Sequence, residues 1–436
     1  MIIAENIAVI ADDLTGANDT ALQFQLRGAE TRIFLGNEIK NTSKEGGIVW
    51  AVSTESRNVT PDEAYDKTID KITILKNNKD IDYLYKKIDS TLRGNIAIET
   101  QAIVDFFGYD AAIIAPAFPS EGRTTIGGYQ LLNGLPLERT EFARDPKAPV
   151  FESHIPSLLR RQLGAEHEKL IGHIGFSTVI KGAGPILKEM NKLIDNGKKF
   201  IVFDAVSVTD LEQIVLAYKK THHKLLPVGS AALAQVLGNT WLEESERFID
   251  EIKTPHLPKL VISGSATKTT AKQIEKLESN GDFSNMSFIP LTNENILSGV
   301  TEDLLNSALS KLETSDIVVI HTSYLVDNFD GFSDDSVNEN LTRDSFISKI
   351  TGFLAELTRQ ITERKEVILI TLGGETSYKC CEAVGVDELK IVDEVSHAIA
   401  LSTDYKNRFF VAKSGNLGDS DTLIDILNYF KRHEQV

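Results

Sequence analysis

Short apolar runs alternate with helix-length amphipathic stretches along the whole chain, and this alternation limits the fold more than any other feature. Apolar runs of about 4–8 residues between turn residues suit strands buried on both faces. Such runs lie at Ile7–Ala11, 47–52, Tyr83–Lys87, Ala111–Ala115, 199–203, Lys259–Ser263, Ile317–His321, 367–371 and Phe409–Lys413. Between them, stretches such as 100–107, 185–195 and 268–279 place apolar residues at helical spacing. Strand and helix alternating this regularly predict an α/β protein whose largely parallel sheets are flanked by helices.

The chain of 436 residues is long enough for two domains. The alternation breaks near "ERFIDEIKTPHLPKLVISG", where Pro255 and Pro258 precede a new strand, glycine turn and helix. The expected domains are 1–250 and 256–436, with an active site in the cleft between them. Segment 122–149 is rich in Gly, Pro and Arg, lacks periodicity, and reads as a long ordered loop.

Basic residues number 46 and acidic residues 63, a formal charge of −17 that argues against nucleic-acid or anionic-membrane partners. A locally basic pocket for a small anion stays compatible with that balance. The two cysteines, Cys380 and Cys381, are neighbours; they form no disulfide framework and read as core residues of a protein in a reducing compartment. Neither CxxC nor HExxH occurs, so no zinc site is expected, and His222 and His223 read as solvated surface. No apolar run reaches the ~18–20 residues of a membrane span. The start, "MIIAENIAVIADD", lacks a basic leader region, so a cytoplasmic protein is expected.

Ligands of open α/β sheets bind beyond the carboxyl ends of the strands, and three polar clusters occupy such ends. The first is Asp12-Asp13, followed by Leu14, Thr15 and Gly16. Neighbours on extended backbone point to opposite faces, so one carboxylate can face a ligand while the other braces the turn. The second is "STESRN", where Arg57 can clamp a carboxylate through two parallel bonds. The third is "YKKIDSTLRGN", which crowds Lys86, Lys87, Asp89, Ser90, Thr91 and Arg93 into one turn. Cations for an acid and carboxylates for hydroxyls describe a pocket for a polyhydroxy acid, and Asp13 or Asp89 can serve as general base.

The second half carries three strand–glycine–helix loops: "VISGSATKT" (261–269), "ITLGGETSY" (370–378) and "AKSGNLGDSDTL" (412–423). Glycine lets backbone N–H groups approach a phosphate, and a following helix N-terminus favours its charge. Neither G-x-x-x-x-G-K-[ST] nor G-x-G-x-x-G is present, which disfavours a P-loop ATPase and a dinucleotide dehydrogenase. Asp419 and Asp421 could approach a metal, but a cap on the last helix explains one of them, and no metal ligand is assigned.

Together, "IADDLTGANDTA", "TESRN", "YKKIDSTLRGNI", "GRTT", "LLNGLPLERTEFARDPKAP", "LPVGSAALA", "SGSAT", "LGGET" and "KSGNLGDSDTL" resemble the four-carbon acid sugar kinase family over nearly the whole chain. "KKIDSTLRGN" and "TEFARDPKAP" look most like its D-threonate branch, with the D-erythronate branch next and the 3-oxo-tetronate branch less similar. The resemblance implies ATP-dependent phosphorylation of a terminal 4-hydroxyl, with Mg²⁺, a substrate-binding N-terminal domain and a nucleotide-binding C-terminal domain. It implies substrate contacts from Asp13, Arg57, Lys87, Ile88, Asp89 and Ser90, beside Arg93 of the same turn. It implies ATP contacts from Ser265, Gly374, Gly415, Asn416, Leu417 and Gly418. Asn416 stands where relatives often carry glycine, and Glu375 where some carry aspartate. A non-catalytic sugar-acid or nucleotide sensor is the rival reading, and a dehydrogenase with an unusual loop a third. A homodimer is the default assembly, since twofold symmetry is the commonest.

Overall fold

The computed structural model describes residues 6–36, 48–145, 147–242, 252–283, 285–323 and 343–434. Two compact units emerge, Met1–Glu246 and Arg247–Val436. Residues 243–251, which include the expected end of the first domain at 250, lie outside the described residues. No helix among the described residues is long and apolar enough to cross a membrane.

The first unit has the strands β1 (Ile7–Ala11), β2 (Glu30–Phe34), β3 (Ile48–Ser53), β4 (Tyr83–Lys87), β5 (Ala111–Ala115), β6 (Arg123–Ile126), β7 (Tyr129–Leu132), β8 (Leu135–Pro136), β9 (Ile171–Ile174), β10 (Phe200–Phe203) and β11 (Leu225–Gly229). Eight of them lie in the order β2-β3-β1-β4-β11-β5-β10-β9, every pair parallel. All five residues of β1 are buried, as an apolar run between two helical layers must be. Its core joins Ile10, Trp50, Leu84, Ile114 and Val228 of the sheet to helix residues such as Ile72, Ile103 and Leu159. Helix Pro61–Asn78 begins with a capping box of Thr60 and Glu63 and a proline in its first turn, so its start is fixed locally.

Segment 122–149 corrects the expectation of a loop: β6, β7 and β8 form a small antiparallel sheet. Two-residue turns join its strands, Gly127-Gly128 and Asn133-Gly134, with all four residues at positive φ. Such turns match the twist of a hairpin and require these residue types. Asp204, after β10, accepts from the Gly127 and Gly128 N–H groups at 2.7 and 2.8 Å and so latches the first turn.

The second unit has β12 (Lys259–Ser263), β13 (Met286–Pro290), β14 (Ile317–His321), β15 (Ile368–Leu372), β16 (Glu388–Ser396), β17 (Ile399–Thr403) and β18 (Phe409–Lys413). The order β13-β14-β12-β15-β18 is parallel, and β17 and β16 continue it antiparallel. In β16 Leu389 and Ile391 are buried while Lys390 between them is exposed, the alternation of a strand wet on one face. Cys380 and Cys381 are both buried in helix Gly374–Ala383, and burial pushes the Cys380 thiol up to about 12.

Candidate active site

Ala11, the last residue of β1, pairs with Ser53 of β3 and Lys87 of β4, so three strands end at one level. The chain leaves β1 toward β2 and β3 on one side and returns to β4 on the other. Such a switch point opens a crevice at the carboxyl ends, and the three expected clusters meet there.

The structure divides their labour differently from the sequence expectation. Asp13 itself caps helix Leu14–Gln25, accepting from the Gly16 N–H at 2.8 Å. Glu55 accepts from the Leu14 N–H at 2.9 Å, so two orphan donors of this helix are met by the protein's own carboxyls. Burial pushes the Glu55 carboxyl up to about 8. Arg57, expected to clamp a ligand, donates from Nε and Nη2 to Asp12 at 2.7 and 2.9 Å and places Nη1 2.7 Å from Asp13. Its bidentate face is therefore taken.

Asp89 is committed too. Arg93 donates to it from Nε and Nη2 at 2.8 and 3.1 Å, and the Thr91 hydroxyl donates as well. Burial opposes the charge of Asp89, but Arg93 and then Arg57 outweigh it and hold the carboxyl well below its usual range. Arg93 spends its remaining Nη1 on Asp145, 2.9 Å away in the turn after β8. Ile88 has its side chain in the core and its N–H on the Gly229 carbonyl at 2.9 Å, which leaves no side-chain contact for a substrate. The half-buried Ser90 hydroxyl has no partner among the described residues.

Lys86 and Lys87 point to opposite faces, as strand neighbours must. Lys86 is fully buried, 2.6 Å from Glu99. Lys87 enters the crevice, and its nearest carboxylate oxygen among the described residues is Asp19 Oδ1 at 3.8 Å. A Cβ on Gly16 would stand 2.8 Å from the Lys87 ammonium and 2.7 Å from Asp13 Oδ1, so only glycine leaves this berth open.

Asp19 was not among the expected site residues. Asp13, Gly16 and Asp19 recur at a spacing of three, which puts them on one face of the helix. The stretch "DLTGAND" carried that signal. The Asp19 side chain is 20% exposed, against 4% for Asp12, 8% for Asp13 and 11% for Asp89. Burial raises its carboxyl to about 6 against the pull of Lys87.

In the second unit Ser263 pairs with Leu372, and Leu372 with Lys413, so the three glycine loops also leave their strands at one level. Loop 414–418 is tied down by its carbonyls. Thr267 and Thr270 hydroxyls donate to the Gly415 carbonyl at 2.7 and 2.8 Å, and Gln273 donates to the Leu417 and Asp419 carbonyls at 3.2 and 2.6 Å. The N–H groups of Gly415, Asn416 and Gly418 have no partner among the described residues. Free amides above anchored carbonyls make an anion-binding concavity. A Cβ on Gly415 would stand 2.5 Å from the Ser265 hydroxyl, so Gly415 and Ser265 lie in contact. Gly374 opens helix Gly374–Ala383, and Leu417 turns its side chain toward the core.

Lys413, also outside the expected set, is fully buried at the end of β18. Its ammonium donates to the Ser414 and Leu417 carbonyls at 2.7 and 3.2 Å and has no carboxylate partner among the described residues. Burial alone draws it down to about 7. Asp421 stands at the N-cap of helix Thr422–His433 without a side-chain cap bond and pairs with Lys276 at 2.6 Å. Asp419 accepts instead from the Asp421 N–H at 2.9 Å and the Thr422 hydroxyl at 3.3 Å.

Residues 7–237 match the family model described as a sugar-binding N-terminal domain, and residues 260–423 match the one described as a nucleotide-binding C-terminal domain. A D-erythronate kinase of Heliobacterium modesticaldum is 27% identical over 97% of this chain and 97% of its own. A D-threonate kinase of Salmonella typhimurium is 29% identical over 97% of this chain and 98% of its own. Among solved structures, a Haemophilus influenzae protein superposes with a TM-score of 0.70 at 24% identity, covering 97% of this chain and 100% of that one, which shows a shared fold.

Proposed function

The chain belongs to the four-carbon acid sugar kinase family, and from that premise we propose that it transfers the γ-phosphoryl group of ATP to the 4-hydroxyl of D-threonate. The observation that carries the reading is Lys87: an ammonium held over Gly16 at the switch point, with no carboxylate in hydrogen-bond contact among the described residues. A small acid supplies the missing anion. Arg57 and Arg93 act behind it, fixing Asp12, Asp13 and Asp89 in place. The Ser90 hydroxyl and the remaining lone pairs of Asp13 are then available to the hydroxyls of the acid.

ATP is assigned to the second unit, with phosphate oxygens on the amides of Gly415, Asn416 and Gly418 and with Ser265 and Gly374 beside them. Magnesium enters with the nucleotide, whose phosphates are its main ligands. Phosphoryl transfer asks a protein mostly for positioning and charge neutralisation, and these two strand-end sites offer both.

The test is ADP release from Mg-ATP with D-threonate, D-erythronate, their L-isomers and 3-oxo-tetronates. Turnover on D-threonate well above the others is expected. Preference for D-erythronate would move the protein to that branch. Silence on every acid with ATP still bound would favour a sensor.

A further inference from the structure

The sugar-acid kinase reading leaves one task without an owner, the removal of the proton from the attacking hydroxyl. Resting on that reading, we infer that Asp19 is the catalytic base: its carboxylate accepts the proton of the 4-hydroxyl as that oxygen bonds to the γ-phosphorus. The bond from this phosphorus to the β,γ-bridging oxygen breaks, its electron pair leaves with ADP, and Asp19 ends protonated.

The argument is a comparison of the carboxyls gathered at the carboxyl ends of β1, β3 and β4. Asp12 receives two bonds from Arg57. Asp13 receives the Gly16 N–H, the Thr15 hydroxyl and Arg57. Asp89 receives Arg93 twice and the Thr91 hydroxyl. Glu55 is bonded by the Leu14 N–H and the Ser53 hydroxyl. Arginine holds Asp12 and Asp89 below their ordinary range, which makes them weak proton acceptors. The oxygens of Asp13 are occupied by its own helix and Arg57. Burial raises Glu55 to about 8, so that it already carries its proton at neutral pH.

Asp19 differs on each count. Its Oδ1 accepts one hydroxyl, that of Thr20, at 3.0 Å, and its Oδ2 has no partner among the described residues. It is the most exposed of the four aspartates and shares a helix face with Gly16, over which the Lys87 ammonium lies. A substrate held on Lys87 is therefore within reach of Asp19. The charged and titratable groups acting on Asp19 are Asp13 at the start of its own helix, Lys87 and Tyr85 from β4, and Arg57 from the turn after β3. Their balance, dominated by burial, leaves the carboxyl near 6, in the range a base needs at neutral pH.

The experiment is the pH dependence of kcat and of kcat/KM for the sugar acid at saturating Mg-ATP, for the wild type, Asp19→Asn and Asp19→Glu. The wild type should lose activity about tenfold per pH unit below about 6. Asp19→Asn should lower kcat by about 10²-fold or more, leave KM for ATP within about threefold and lack the acid limb. Asp19→Glu should recover part of kcat together with a limb. Three results overturn the inference alone: a wild-type profile flat between pH 5 and 7, an Asn variant with near wild-type kcat, or an Asn variant that keeps the limb. A wild type that releases no ADP with any four-carbon acid overturns the kinase reading itself. The wild-type profile needs no variant to fold.

Discussion

In the first unit the ends of β1, β3 and β4 carry charged side chains: four aspartates, a glutamate, two arginines and Lys87. In the second unit the carboxyl ends of β12, β15 and β18 carry glycines, hydroxyls and backbone amides, with the buried Lys413 beneath one loop. Both sets follow the same topological rule, a central strand with neighbours reached by opposite crossovers. The contrast shows what the sheet decides and what it leaves to side chains. Topology chooses the place. A polyhydroxy acid needs discriminating, directional side chains, whereas a polyphosphate is satisfied by amides any sequence can supply once its carbonyls are anchored.

The largest expected effect breaks the charged side at its foundation. Glu99→Ala leaves Lys86 buried without its counter-charge and should cost about 3–5 kcal/mol in urea unfolding; a loss below about 1 kcal/mol would mean that the pair does not brace β4. Lys87→Met should raise KM for the sugar acid by about 10²-fold, the scale of a lost charged hydrogen bond, without moving ATP affinity. Equal weakening of both ligands would dissolve the division between the units. Gly415→Val is the converse: a side chain there meets Ser265 and Thr267, and ATP should bind about tenfold more weakly in a titration while acid binding stays put.

The smallest effect sharpens the view of Asp19. Its carboxyl titrates near 6 in the folded chain and near 3.8 unfolded, so at pH 7 the folded state holds an unfavourable charge. Asp19→Asn should then stabilise the protein at pH 7 by about 1–2 kcal/mol, after allowance for partial exposure. The gain should shrink as pH falls through 6 and fade to nothing as pH drops through 3.8, below which the wild-type carboxyl becomes protonated in both states. Thermal melts at pH 7 and pH 4 measure it.

The buried strands were legible because a five-residue apolar run such as Ile7–Ala11 has few other uses. The three charged clusters were legible because each follows such a run. Their pairing was not. Arg57 lies 45 residues from Asp12, and no local pattern tells an arginine that binds a ligand from one that binds its own chain. Asp19 and Lys413 were hidden for another reason. Each is an ordinary residue inside a regular element, and its importance comes from the partners the fold leaves it without among the described residues: a cation in hydrogen-bond contact for Asp19, a counter-charge for Lys413. The sheet of β6–β8 was readable in principle, since Gly127-Gly128 and Asn133-Gly134 are hairpin turns by composition. The start of β16 likewise shows in the alternation of Leu389, Lys390 and Ile391.

Lys413 has a consequence in proton accounting. An ammonium titrating near 7, with no counter-ion among the described residues, is charged in only about half of the molecules at pH 7. A phosphate seated on the amides of loop 414–418 brings that counter-ion and favours the charged form. Nucleotide binding would then draw about half a proton from the medium at each site, and the heat of binding would follow the ionisation enthalpy of the buffer. Titrations of ATP in PIPES and in Tris would differ in heat while agreeing in affinity, and in Lys413→Met that difference would disappear.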